Sequence, residues 1–147
     1  EICGREEGAP PPVDLLEERE NGDLVRALIL DGAASAAHDL SDGGLAVALA
    51  EMAMVAGVGA TLDDAPDDIP AHAYWFGEDQ ARYLVTVPAG KVAGVLERAR
   101  GSSVPVWRIG TTGGDALTLP GERPILVTIL RERSEGWLPA YMAGEMP

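Results

Sequence analysis

Basic residues are scarce in this 147-residue chain: one lysine, Lys91, and ten arginines face 24 acidic side chains, for a net charge of −13. That balance excludes the broad basic surfaces on which nucleic-acid backbones are held. It still allows small phosphate ligands gripped by backbone amides, a few arginines or bridging cations, and its plainest role is to keep the protein soluble. Cysteine is reduced to Cys3 alone, so no internal disulfide framework exists. With only two histidines beside it, a dense zinc site is excluded too. Both absences fit a reducing compartment, and a cytoplasmic location is the expectation. Long apolar runs are also missing. The richest, Leu45 to Val58, is interrupted by Glu51 and falls short of the ~18–20 residues a membrane span needs. The first residues, Glu1-Ile2-Cys3-Gly4-Arg5, contain no initiator Met and no basic, apolar leader. The chain is therefore expected to begin inside a longer polypeptide. No Gly-x-Ser-x-Gly, paired-cysteine or His-Glu-x-x-His motif occurs, so no residue is assigned a catalytic or metal-ligating role.

What the chain has is 46% hydrophobic residues and a mean hydropathy of +0.03, enough to bury a core at this length. Residues 1–12, charged and then proline-rich, read as an extended lead-in, with residues 13–147 as one domain. The pattern predicts a helix over 13–20 entered at Pro12, a break at Asn21-Gly22, and a second helix over 24–30 capped by Asp23. A strand over 34–38 follows, then a helix over 44–56 that is apolar all round and so expected to be central. Residues 60–62 read as a strand, 63–70 as an acidic loop and 71–76 as a short aromatic helix. Residues 82–87 give the clearest strand, dense in β-branched and aromatic side chains. Pro88 opens a helix to about residue 100. Strands over 104–111 and 116–119 are predicted to pair as a hairpin through Thr112-Gly113-Gly114-Asp115. A strand fragment at 125–127 precedes a final helix capped by Thr128, with Trp137, Leu138 and Tyr141 as its docking residues. Without a regular βαβ rhythm, the fold class is α+β: a mixed β-sheet packed with helices in layers.

Two constellations stand out. The turn His38-Asp39-Leu40-Ser41-Asp42-Gly43-Gly44 joins a small-residue strand to the apolar helix. Ser41 and Asp42 are placed to cap that helix, Gly43 and Gly44 to present N–H groups to an anion, and His38 and Asp39 to line the same mouth. The structural alternative is an ordinary helix start with glycines chosen for tight packing. No Lys or Thr follows at phosphate-loop spacing. The second constellation is Phe76-Gly77-Glu78-Asp79-Gln80-Ala81-Arg82-Tyr83. Glu78 and Gln80 suit hydrogen bonds to a polar substrate, and Arg82 suits a phosphate or the organisation of the carboxylates. Its alternative is a strand-entry turn with an Arg–Glu ion pair. His72, beside Tyr74, Trp75 and Phe76, reads as a packed or exposed histidine. Cys3 has no partner that would make it a nucleophile.

These stretches carry a family resemblance. The run from Ala36 to Met52 resembles the last domain of the phosphoribosylformylglycinamidine synthase family, synthetase subunit. The run Phe76 to Tyr83 resembles its second marker, and Glu135-Gly136-Trp137-Leu138-Pro139-Ala140-Tyr141-Met142 is similar to the end of its synthetase part. Arg5-Glu6-Glu7-Gly8-Ala9-Pro10-Pro11-Pro12 fits the segment before them. The resemblance implies the C-terminal α+β domain of the aminoimidazole ribonucleotide synthetase type. It also implies a role in the ATP-dependent conversion of formylglycinamide ribonucleotide to its amidine with ammonia from glutamine. ATP and magnesium are then expected on preceding ATP-binding domains of the same chain, with a glutaminase subunit as partner and the ribonucleotide as substrate; no nucleic acid and no membrane is involved. Glu78, Asp79 and Gln80 become the internal-repeat counterpart of a substrate-contacting marker, nearer a nucleotide pseudo-site. The isolated segment is expected to be inactive. Were Pro147 the native end, ammonia would come from separate subunits. The alternatives are a scaffold domain that only packs against the paired domain and glutaminase, or another synthetase of the superfamily, against which the Asp39-to-Asp42 turn and the Gly136-to-Pro139 ending argue.

Overall fold

The computed structural model describes residues 12–144. Cys3, most of the lead-in and Pro147 lie outside them. The first helix, α1 (Leu15–Leu30), starts at an Asp14 cap whose Oδ1 accepts from the Leu16 and Glu17 amides at 2.8 and 3.1 Å. It runs unbroken through Asn21-Gly22, where two helices were expected. Glycine inside a helix costs ~1 kcal/mol, and tertiary contacts offset it. Asn21 is buried and its Nδ2 donates to the Ala81 carbonyl at 2.9 Å. Asp23 is a mid-helix residue rather than a cap, 2.7 Å from Arg26.

Strand β1 (Ala36–Asp39) leads through the glycine turn into α2 (Gly44–Ala56), and β2 (Ala60–Leu62) follows. The short helix α3 (Ala71–Phe76) precedes β3 (Tyr83–Thr86). A 3-10 turn over Ala89–Lys91 then opens α4 (Val92–Gly101). Strands β4 (Gly110–Thr112), β5 (Ala116–Thr118) and β6 (Ile125–Leu126) precede α5 (Val127–Met142).

The strands form two small sheets. β1 and β3 pair antiparallel from Ala36↔Thr86 to Asp39↔Tyr83. The second sheet has the order β4-β2-β5-β6 and is mixed, with β2 antiparallel to β4 but parallel to β5. The expected hairpin between residues 104–111 and 116–119 is therefore absent. β2 lies between its two arms, and the 112–115 turn straddles Gly59, which donates to Gly114 and accepts from Gly113 at 2.9 and 2.8 Å. Residues 104–109 are not strand: Pro105 has no N–H for a ladder, and Val104 is buried beside α1 and α4 instead.

Two apolar clusters hold the layers. The larger gathers Leu40, Leu45, Leu49, Leu62, Trp75, Leu84 and Leu117 around α2 and both sheets, with Tyr74 edge-on to Trp75 at 4.8 Å. The smaller packs Leu24 and Leu28 of α1 on Val95 and Ala99 of α4. Helix α2 is not buried all round, as its composition suggested. Leu45, Ala48, Leu49 and Ala53 face the core, while Val47, Glu51 and Val55, four residues apart, form an exposed stripe. Trp137, Leu138 and Tyr141 do not dock α5 on this domain either; each is more than half exposed. No helix among the described residues is long and apolar enough to cross a membrane.

Candidate functional site

The polar mouth of the molecule forms where α1, the β1–α2 turn and the β3 entry converge. Its cavity of ≈ 260 Å³ is lined by Glu18, Asp39, Leu40, Ser41, Asp42, Glu78, Gln80, Ala81, Arg82 and Tyr83. The two sequence constellations, some 35 residues apart, thus meet in space, and six of the nine candidate residues share one lining: Asp39, Ser41, Asp42, Glu78, Gln80 and Arg82.

The other three stand outside it, each for a visible reason. The His38 ring turns toward the open side of α2, with Nε2 3.2 Å from Glu51 Oε2 and Nδ1 2.6 Å from the Asp39 carbonyl. Gly43, the N-cap of α2 at φ +84°, gives its N–H to Glu78 Oε1 at 2.8 Å. Ser41 and Asp42 make no side-chain cap; the Ser41 carbonyl accepts from the Gly44 N–H at 3.0 Å. The capping carboxylate comes from a distant loop, and it complements the positive end of the helix dipole. At Gly44, φ is +64°, and a Cβ would lie 2.7 Å from the Gly77 oxygen and 2.8 Å from the Phe76 carbonyl carbon. The chain's own backbone occupies the space that Gly44 keeps open, and the Val47 side chain occupies that at Gly43.

Arg82 organises the loop before its strand. Its Nη1 lies 3.4 Å from Asp79 Oδ2 and 3.3 Å from the Gly77 carbonyl, so its ion pair is with Asp79 rather than Glu78. Ala81, immediately before it, sits in the left-handed region at φ +62°, a conformation costly for a residue with a Cβ. The buried Asn21 amide holds its carbonyl in place. The Tyr83 hydroxyl donates to Glu18 Oε1. That hydrogen bond first, then burial, then the charges of Glu18 and Asp39 push the Tyr83 phenol from 10.0 up to about 12, against a small opposing pull from Arg26.

Glu18 and Asn21 escaped the sequence reading as site residues, and Ala81 and Tyr83 stood in the second constellation without a role. One signal was available. Once α1 is drawn as one helix, Asn21 falls on the Leu24–Leu28 stripe, and a polar residue in an apolar stripe asks for a partner.

Chemically, four carboxylates (Glu18, Asp39, Asp42 and Glu78) against one guanidinium make the mouth rich in acceptors. It does not fit a bare phosphate: the Gly43 amide is engaged by Glu78, and the surrounding charge repels an anion. Among the described residues no group of three or more His, Cys, Asp or Glu is placed to hold a metal ion. A wider shelf of ≈ 470 Å³ beside Thr128, Arg131, Glu132, Glu135 and Gly136 is lined by α5 alone, so no groups converge there from different elements.

The chain is similar to the phosphoribosylformylglycinamidine synthase subunit PurL of Bradyrhizobium sp. (strain BTAi1), 63% identical over 144 residues, or 98% of this chain and 20% of that protein. The chain thus spans about a fifth of the length of such relatives. Among solved structures it resembles Thermotoga maritima PurL complexed with FGAR, with a TM-score of 0.71 at 18% identity over 87% of this chain and 23% of that one. The same protein complexed with ATP gives 0.64 at 18% identity, over 76% and 21%. At those identities the likeness establishes the fold, a mixed sheet with packed helices. The family model described as AIR synthase related protein, C-terminal domain, matches residues 2–119, and the chain belongs to that family.

Proposed function

We propose that this chain is the C-terminal part of the synthetase subunit of phosphoribosylformylglycinamidine synthase, a ligase of purine biosynthesis. That enzyme converts formylglycinamide ribonucleotide to its amidine, using ATP and ammonia from glutamine. The observation that carries the proposal is 63% identity to the Bradyrhizobium subunit over nearly the whole chain. On this reading residues 13–147 form one domain behind a lead-in over 1–12. The preceding domains hold ATP and magnesium, a glutaminase subunit supplies ammonia, and the assembly works in the cytoplasm. Within the whole enzyme the mouth of Asp39, Ser41, Asp42, Glu78, Gln80 and Arg82 faces the ribonucleotide, rather than the nucleotide pseudo-site that the family resemblance implies for Glu78 and Gln80. Its acceptors suit hydroxyl and amide N–H groups better than bare phosphate. His38, Gly43 and Gly44 support it from behind.

A second reading, a scaffold domain with no ligand contact, is favoured by Gly44 packing on the Phe76–Gly77 backbone. One experiment separates the possibilities. The corresponding fifth of the Bradyrhizobium subunit is replaced by this chain, and the chimera is introduced into cells lacking the synthase. Growth without added purine is expected. A soluble, assembled chimera that fails to support growth overturns the proposal. In the growing chimera, Gln80→Ala should raise the ribonucleotide KM selectively. An unchanged KM selects the scaffold reading.

A further inference from the structure

The family match ends at residue 119, whereas the similarity to the synthase subunit continues over 98% of the chain. β6 and α5 lie beyond the stretch that the family model matches. The first half of α5 is well anchored. Val127 is 4% exposed, Leu130 packs on the larger cluster, and the Arg131 guanidinium donates to the Met54 carbonyl near the end of α2. The second half has no such anchorage. Trp137, Leu138, Tyr141 and Met142 are 52, 57, 59 and 77% exposed. The run Trp137-Leu138-Pro139-Ala140-Tyr141-Met142 holds no charge, in a chain of net charge −13. The Trp137 and Tyr141 rings stack at 5.3 Å and 9°, so little rotamer freedom remains to be lost when a partner covers them. An uncharged patch built on two aromatics and a methionine has the composition of an interface core.

We propose that the Trp137–Met142 end of α5 docks on the portion of the same polypeptide that precedes this segment in the full-length synthetase. The proposal rests on the reading that the chain is one part of that enzyme. About a fifth of the length of the relatives lies in this segment, so the remainder is a covalently tethered partner at high effective concentration. A face without charges suits a permanent contact of this kind better than a transient encounter between subunits.

The test uses the full-length synthetase with Trp137→p-benzoylphenylalanine, irradiated as a mixture of isotopically light and heavy protein with its glutaminase present. Cross-links within one molecule to peptides preceding this segment are expected. Light–heavy cross-links, cross-links to the glutaminase, or none at all overturn the proposal. Hydroxyl-radical labelling of Trp137 in the unsubstituted enzyme gives an independent readout. Docking protects it well beyond its half-exposure in this domain. A labelling rate near half that of the denatured chain, as 52% exposure gives, counts against docking. Both readouts are independent of turnover, so a chimera that fails to support growth and an undocked α5 remain distinguishable.

Discussion

Substituting Gly44 by alanine separates the two explanations of the glycine pair, and Gly32 supplies its control. Both glycines sit in the left-handed region, at φ +64° and +63°. An alanine at either therefore meets the same backbone cost, roughly 1–2 kcal/mol, and the same change in unfolded-state entropy. They differ in surroundings. At Gly32 nothing lies within 4 Å of the added Cβ, while at Gly44 it meets the Gly77 oxygen at 2.7 Å and the Phe76 carbonyl carbon at 2.8 Å. Those are backbone atoms of the loop that supplies Glu78, and they cannot rotate aside. Forcing α3 and the mouth loop apart adds an overpacking cost of roughly 1–3 kcal/mol, a large share of a typical domain stability of about 5–15 kcal/mol. Equilibrium urea unfolding of the two variants, followed by circular dichroism, reads the difference directly because the shared terms cancel. Gly44→Ala should unfold at clearly lower urea. Were the glycine there to admit a phosphate, the two variants would lose equal stability and only ligand affinity would fall. Equal midpoints would refute the packing argument.

Two other contacts of the mouth are open to measurement. Because the folded chain holds the Tyr83 proton to a pH of about 12 rather than 10.0, this group's contribution to stability is complete below pH 10 and is lost as pH rises from about 10 to 12. Denaturant unfolding across that range should show the decline in the parent and a smaller one in Tyr83→Phe, and the 295 nm absorbance difference between them should report a phenol titrating near 12. Asn21→Ala leaves the Ala81 carbonyl without its buried partner, and a loss of about 1–3 kcal/mol is expected. Asn21→Ala combined with Ala81→Gly should recover part of it, since glycine holds the left-handed conformation unaided; no recovery in urea unfolding would mean that Asn21 does not hold Ala81 in place.

The elements legible in the sequence were those whose own residues decide them. α2 runs from Gly44 to Ala56, and β2, α3 and most of β3 lie where periodicity and turn residues put them. What the sequence hid was decided between elements. Asn21-Gly22 has every local mark of a break, yet a carbonyl 60 residues later keeps it helical. Thr112-Gly113-Gly114-Asp115 has the composition of a hairpin turn, but sequence cannot show that β2 inserts between its arms. The mouth was half visible for the same reason. Its two motifs announced themselves separately, while their meeting and the role of Glu78 as the cap of α2 depend on the β1–β3 pairing. The acidic capping group was sought next to the helix, where capping residues usually lie, and it arrives from 35 residues away.

That distance sets an order of events during synthesis. When α2 leaves the ribosome its first turn has no anionic cap, and the backbone that Gly44 rests on does not yet exist. Both arrive with residues 76–78, at the end of α3. Closing the intervening chain carries an entropic cost that a local cap would avoid. The start of α2 therefore locks only as the mouth itself assembles, so the helix start can be complete only in a chain whose site loop is already seated.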